Sequence, residues 1–583
     1  MQRHALASAL FAAIVLSACT SAPSEREAQA ASTVHDRVSP PAPPPPAEPQ
    51  ILDTLGGAAP AKALAAARMR AQETRMAYAP APATIAYDMA APPPAYTQPA
   101  NTENYAERSD NPVQRVAEQP VSTFSIDVDT GSYSNVRRMI RQGVRPPADA
   151  VRAEEFINYF DYGHPGPASL DTPFRATVEV APAPWNAQRH LLMVGIKGFD
   201  VAKAELPPAN LVFLLDTSGS MNSPDKLPLL KQAFSELTQQ LRAQDRVSIV
   251  VYAGSAGLVL PPTPGDRKDE ILAALNRLEA GGSTNGGDGI RLAYAMAKRA
   301  FVKDGVNRVI LATDGDFNVG TVDGGSLETM VADQRKSGIA LTTLGFGTGN
   351  YNDHLAERLA DAGDGNHAYI DTLQEARKVL VEEMSSTLLT IAQDVKIQVE
   401  FNPALVSEYR LIGYENRMLA REDFANDRVD AGDIGAGHEV TALYEITLAG
   451  SGAQRLPPLR YGTAQAPDAR TPDELAHLRL RYKRPGESTS RLIETPVLRS
   501  AIARQPGESM RFAATVAAWA DALRGGKHLE QWDLSAIAAG ARATRGSDPW
   551  KLRAEFAELI EASRTLVADG ESVDEPQLSS ISR

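Results

Sequence analysis

Cysteine is almost missing from this chain of 583 residues, and the single one present, Cys19, lies near the N-terminus. One thiol excludes intrachain disulfides and any cysteine cage for a metal, so the folded parts must be held by core burial. Positive charge is also in deficit. Lys and Arg number 59 against 72 Asp and Glu, a net charge of −13 with no long basic stripe, which excludes nucleic acid as a partner. No apolar stretch reaches the roughly 20 residues that span a bilayer. The motifs H-E-x-x-H, G-x-S-x-G and G-x-x-x-x-G-K-[ST] do not occur, and the nine His are scattered without ligand spacing. Metal-assisted hydrolysis needs a general base beside the ion, so the chain reads as a non-enzyme.

What is present begins with the first residues. Arg3 and His4 precede the apolar run Ala5 to Leu16, which is followed by Ser17-Ala18-Cys19. That run is too short for a stable span and reads as a signal-peptide core, residues 1–18. Leu16-Ser17-Ala18-Cys19 resembles a bacterial lipobox, in which the cysteine is lipidated and becomes the mature N-terminus. The resemblance implies lipidation at Cys19 and attachment to a membrane by lipid. In a Gram-negative cell Thr20 after the cysteine implies sorting to the outer membrane of the envelope. Residues 19–112 are rich in Pro and Ala, with Pro40-Pro41-Ala42-Pro43-Pro44-Pro45-Pro46 as a stiff point. Such a composition cannot offset ordering entropy and is expected to be a disordered tether.

From about Ala209 to Met384, strand and helix patterns alternate. Strands are expected at Leu211 to Asp216, Val247 to Tyr252, Val309 to Thr313, Ala340 to Gly345 and His367 to Ile370. Helices are expected at Lys226 to Arg242, Lys268 to Leu278, Gly289 to Lys303, Ser326 to Lys336 and Asp353 to Asp361. Alternation with unbroken apolar strands predicts an α/β fold, a Rossmann-like, doubly wound, mostly parallel sheet over residues 208–384. Ligands of such sheets bind outside the carboxyl ends of the strands. An α+β block precedes it (113–207). A C-terminal domain follows (385–570), β-like first and then helical from Met510, before a tail at 571–583.

Directly behind Leu211-Val212-Phe213-Leu214-Leu215 comes Asp216-Thr217-Ser218-Gly219-Ser220, one carboxylate and two hydroxyls at the end of a buried strand. Alternate residues of an extended-to-turn segment point to one side, so Asp216, Ser218 and Ser220 can grip one hard divalent cation through oxygen. Taken alone, Asp-x-Ser before a helix is also an ordinary N-cap arrangement, and strand-Asp-Gly an ordinary turn. Two downstream loops add oxygen donors: Gly281-Gly282-Ser283-Thr284-Asn285 with the Thr284 hydroxyl, and Asp314-Gly315-Asp316 with the Asp314 carboxylate.

Together the three pieces resemble the metal-ion-dependent adhesion site of von Willebrand factor type A domains, with each ligand position matched. The resemblance implies Ser218, Ser220 and Thr284 as direct or switchable ligands, and Asp216 and Asp314 as ligands directly or through water. Asn285 and Asp316 are either orienting groups behind them or plain turn residues. The expected cofactor is a divalent cation, Mg²⁺ first, with Mn²⁺ or Ca²⁺ as alternatives. An open coordination position is then expected to take an Asp or Glu of a protein partner.

The stretch S-T-F-S-I-D-V-D-T-G-S-Y-S-N-V-R-R, residues 122–138, resembles the region preceding the type A domain in a bacterial family sometimes labelled calcium-activated chloride channel homologues, a label that does not establish a channel. Val399-Glu400-Phe401-Asn402-Pro403 and Leu411-Ile412-Gly413-Tyr414-Glu415-Asn416-Arg417 resemble its C-terminal domain. Asp127-x-Asp129-x-Gly131 is not an EF-hand loop, because Gly131 and Arg138 stand at ligand positions. The expected protein is therefore an envelope lipoprotein that binds a protein partner through a cation-bridged carboxylate. Two alternatives stand beside it: an assembly or regulatory subunit of an envelope complex, and a structural envelope protein whose metal only stabilises loops.

Overall fold

The computed structural model describes residues 102–283, 286–315, 324–457, 460, 473–530 and 532–571. The signal-peptide, Cys19 and tether readings up to residue 101 lie outside the described residues, as do Thr284, Asn285, Asp316 and the tail from residue 572.

The first elements are strands β1 (Gln114–Arg115) and β2 (Val121–Ser125), helices α1 (Gly131–Arg141) and α2 (Ala153–Asn158), and strands β3 (Phe174–Ala183) and β4 (Asn186–Gly198). Then come β5 (Ala209–Asp216), α3 (Leu227–Gln240), β6 (Arg246–Tyr252), β7 (Ala256–Pro264), α4 (Lys268–Asn276), α5 (Gly286–Arg299), β8 (Val306–Thr313), α6 (Gly324–Arg335), β9 (Ala340–Phe346), α7 (Asp353–Ala362) and β10 (His367–Ile370). The last group is α8 (Leu373–Arg377), α9 (Met384–Leu388), β11 (Thr390–Phe401), β12 (Val406–Ile412), β13 (Ile434–Gly435), β14 (Glu439–Leu448), β15 (Glu474–Lys483), β16 (Arg491–Leu498), α10 (Glu508–Leu523), α11 (Leu534–Ala543) and α12 (Leu552–Glu571).

The middle group makes a six-stranded sheet in the order β10-β9-β8-β5-β6-β7, parallel except for β7. All eight residues of β5 are buried, and their alternation explains the two covered faces. Leu211, Phe213 and Leu215 pack with Leu230, Phe234 and Ile271 of α3 and α4, whereas Val212 and Leu214 pack with Ile290 of α5, Leu327 of α6 and Leu359 of α7. This is the doubly wound α/β sheet that the pattern predicts. The sequence reading contains no strand at β7, whose Pro261, Pro262 and Pro264 argue against one. Proline is tolerated there because β7 pairs only with β6 and forms an edge.

The flanking segments do not pack as two separate bodies. One antiparallel sheet runs β1-β12-β14-β4-β3, and a second is built on β11, which pairs with β13, β15 and β2 while β15 pairs with β16. Both sheets thus mix strands from before and after the central one. Val194 and Ile196 of β4 share a core with Ile397 and Val399 of β11 and Leu478 and Leu480 of β15, which makes the pair a sandwich. The other face of the first sheet, with Leu191, Met193 and Leu443, packs on α1, α2 and α10 to α12. That helical layer holds an aromatic cluster, in which Tyr133 stacks on Tyr159 at 4.0 Å and Trp519 lies 5.4 Å from Phe556.

Residues 102–112, expected to belong to the tether, are docked. Thr102 N donates to Gly349 O at 2.9 Å, Asn104 N to Tyr351 O at 3.0 Å, and Arg108 pairs with Glu357 at 2.9 Å. These bonds depend on loops hundreds of residues away, so no local periodicity announces them. Asp127 and Asp129, rejected as an EF-hand, bind Arg417 at 3.1 and 3.2 Å, and Asp129 Oδ1 also accepts from His367 N at 2.7 Å. None of the described helices is long and apolar enough to cross a membrane.

Candidate metal centre

Strands β5 and β8 are neighbours in parallel register, Leu215 opposite Ala312, so Asp216 and Asp314 leave the sheet side by side at its carboxyl edge. Both carboxylates are fully buried. Beyond Asp216 the chain turns at once. Ser218 N donates to Asp216 Oδ1 at 2.8 Å, and Ser218 Oγ lies 2.9 Å from Ser220 Oγ. The loop before α5 is clamped onto this turn by two backbone bonds, Gly219 N to Gly282 O at 3.0 Å and Gly281 N to Thr217 O at 2.8 Å. Thr313 Oγ1 reaches Asp216 Oδ2 at 3.4 Å and accepts from Gly315 N at 3.0 Å, tying the third loop to the first.

The structure therefore brings together Asp216, Ser218, Ser220 and Asp314, and it places the loop that carries Thr284 against them as far as Ser283. Thr284 itself, with Asn285 and Asp316, lies outside the described residues. Burial pushes the Asp216 carboxyl up to about 6, an effect offset by the Ser218 N–H and reinforced by the Asp314 charge.

Donor chemistry and spacing both fit a small hard cation. Two cis ligands on an octahedral ion with bonds of about 2.1 Å are separated by about 3 Å, and the two serine hydroxyls are 2.9 Å apart. Among the described residues no group of three or more His, Cys, Asp or Glu could hold a metal ion. Among these residues a cation would rely on hydroxyls as well as on the two acids.

Two residues at the site escaped the sequence reading. Lys226, the residue before α3, sends Nζ to Asp314 Oδ2 at 2.9 Å and to Asn350 Oδ1 at 2.9 Å, and Asn350 Nδ2 donates to the same carboxylate oxygen at 3.2 Å. Lys226 stood in the sequence only as the start of a helical pattern. The signal that could have raised Asn350 is the glycine-rich turn Gly345 to Gly349 at the carboxyl end of β9. His367, inside this sheet, is structural: it is buried, with Thr343 Oγ1 and Tyr351 OH each 2.9 Å from its ring nitrogens.

With this geometry in place, the chain can be set beside known proteins. Residues 210–383 match the von Willebrand factor type A domain, residues 99–193 a model described as von Willebrand factor, and residues 386–566 the C-terminal region of uncharacterized protein YfbK. Uncharacterized protein YfbK of Escherichia coli K12 is 50% identical over 480 residues, which cover 80% of this chain and 81% of that protein. A solved von Willebrand factor type A structure from Catenulispora acidiphila is 16% identical, covers 68% of this chain and 91% of its own, and has a TM-score of 0.39. Proximal thread matrix protein 1 of the mussel byssus, solved with a zinc-occupied MIDAS motif, is 21% identical, covers 32% of this chain and 46% of its own, and has a TM-score of 0.25. Both structural likenesses are loose.

Proposed function

The chain belongs to the YfbK family of von Willebrand factor type A proteins, and from that premise we propose that its strand-end loops hold a divalent cation that bridges to a carboxylate on a protein partner. Domains of this type typically mediate protein–protein interaction. The observation that carries the reading is the pair of hydroxyls of Ser218 and Ser220, 2.9 Å apart beside the buried carboxylates of Asp216 and Asp314. In this reading the two serines and Thr284 supply neutral ligands, and Asp216 and Asp314 act directly or through water. The bound ion, Mg²⁺ first among the candidates, supplies Lewis acidity for a partner's Asp or Glu and drives no reaction.

The reading extends to location. Lipidation at Cys19 would attach the chain to the cell envelope, on the outer membrane in a Gram-negative cell, with the proline-rich segment as spacer. Support for this comes from the lipobox-like residues alone.

The test is capture from an envelope extract on the full chain, with Mg²⁺ and with EDTA, beside the Asp216→Ala variant. Wild type with Mg²⁺ should retain a partner that EDTA and the variant both release. Asp216 is the last residue of β5 and its carboxylate bonds to the turn and to Thr313, so the variant should keep the sheet. An Asp216→Ala chain that melts normally and captures the same partner equally well would sink the bridging model. Chelation that lowers the melting temperature without releasing the partner would point to a metal that only stabilises loops. Movement of a Cys19→Ser chain from the membrane to the soluble fraction checks the anchor.

A further inference from the structure

A lysine is not a ligand for a divalent cation, yet the Lys226 ammonium is built into this site. Its side chain is only 7% exposed, and its charge is answered by Asp314 Oδ2 and Asn350 Oδ1, each at 2.9 Å. The path it takes is one that only glycine leaves open. A Cβ at Gly347 would lie 2.3 Å from Lys226 Cγ and Cε, and Gly347 has a φ of +77°, where side chains are disfavoured as well. A buried long side chain loses rotamer freedom and hydration, so its aim at one of the two acids of the site has a cost that the ion pair must offset.

The consequence is electrostatic. Asp216 and Asp314 carry two negative charges when ionised, and Lys226 cancels one of them. A divalent ion entering the site meets a net charge of −1 rather than −2, is repelled by the ammonium, and finds one oxygen of Asp314 already engaged. Once loaded, the site carries +1 rather than zero, and the excess favours an anionic oxygen as the next ligand.

We propose that Lys226 is an internal counter-ion that competes with the divalent cation for Asp314, lowering the affinity of the site for metal while leaving the loaded site net positive and selective for an acidic partner. The inference rests on the metal reading above and adds a residue to it. Asn350, bonded to both Lys226 and Asp314, adjoins Gly349 and Tyr351, which hold the docked segment at Thr102 and Asn104.

The test is titration of the full chain with Mg²⁺ by calorimetry, in wild type, Lys226→Met and Lys226→Arg, with melting curves in EDTA and in Mg²⁺. Lys226→Met keeps length and removes charge, and it should bind Mg²⁺ at least tenfold more tightly than wild type. Its melting temperature should fall in EDTA, where Asp314 loses its counter-ion, and should rise more than that of wild type when Mg²⁺ is added. Lys226→Arg keeps the charge and should stay within about threefold of wild type. A lysine that merely props the loop predicts the opposite sign, and weaker or unchanged Mg²⁺ binding by a folded Lys226→Met would overturn the proposal. Should that variant not fold in EDTA, the shorter Lys226→Gln, which can still hydrogen-bond Asp314, is titrated in its place with the same criterion. Wild type that binds Mg²⁺ as tightly as the variant defeats the lysine inference alone. Absence of Mg²⁺, Mn²⁺ or Ca²⁺ binding in every chain defeats the metal reading as well.

Discussion

Glu154, in the first turn of α2, shows how far burial governs single residues in this protein. It is fully buried, and its carboxylate oxygens find no hydrogen-bond partner in another residue. Burial, followed by the charges of Glu415, Asp127 and Glu155, pushes its carboxyl from the ordinary 4.5 up to about 8. The folded chain then holds a proton that the unfolded chain has released. The stability this group contributes is full below pH 4.5 and is lost as pH rises through about 8. His164 and His438, which burial holds neutral down to about 4 and about 3, act in the opposite direction, but only below about 6.5. The interval from pH 7 to 8.5 therefore lies clear of the histidines and carries the loss from raised carboxyls, Glu154 together with Glu439, which burial pushes up to about 7. Wild type should lose melting temperature across it, and Glu154→Gln should make that slope shallower and be the more stable chain at pH 8.5. Equal slopes in scanning calorimetry would show that the proton is not taken up there. Gly413 is the matching constraint on the backbone, since a Cβ there would lie 2.6 Å from both Glu154 N and Oε2.

At the scale of elements, helix α7 is tied to the flanking segments by three arginines. Arg152 bonds Asp353 at its start, Arg108 pairs with Glu357 at 2.9 Å, and Arg417 pairs with Asp361 at 2.7 Å while also holding Asp127 and Asp129. Arginine suits this work because its planar fork serves several carboxylates at once. Removing one partner from such a buried network leaves the other charges uncompensated, at a cost of about 3–5 kcal/mol. Arg417→Met should lower the unfolding free energy by about that amount in a urea titration. A loss below about 1 kcal/mol would mean that the network contributes as weakly as an exposed surface pair. None of these pairings follows from local spacing, because the partners lie far apart along the chain.

The molecule as a whole is interleaved. Strand β2 pairs with β11, and β4 pairs with β14 along nine residues, Arg189 to Lys197, so the segment before the central sheet completes its hydrogen bonding only with the segment after it. A chain ended after Leu388 should keep the parallel sheet, whose strands all lie between 209 and 370. It should lose the structure of residues 114–198, because without β14 one edge of β4 is unpaired and its apolar residues are exposed. Limited proteolysis with mass spectrometry should then find a resistant fragment near 208–384 and rapid cleavage before it. Protection of residues 114–198 in the truncated chain would show that they fold on their own.

The parallel sheet and most of the candidate site were legible in the sequence because both are local. A buried strand needs an unbroken apolar run, as in Leu211 to Leu215, and a strand-end oxygen cluster needs alternate Asp and Ser, as in Asp216 to Ser220. The positions of Asp216 and Asp314 followed from the rule that ligands gather at the carboxyl ends of parallel strands. What lay beyond the sequence depended on partners distant in the chain: the edge strand β7 despite its prolines, the docking of residues 102–112, and the sharing of two sheets by the flanking segments. Lys226 belongs with these. A lysine before a helix ordinarily faces water, and only the packed turn at Gly347 brings its charge onto Asp314. Periodicity and motif record what each segment must bury or present, whereas long-range pairing and the charge balance of a buried site are settled only when the segments meet.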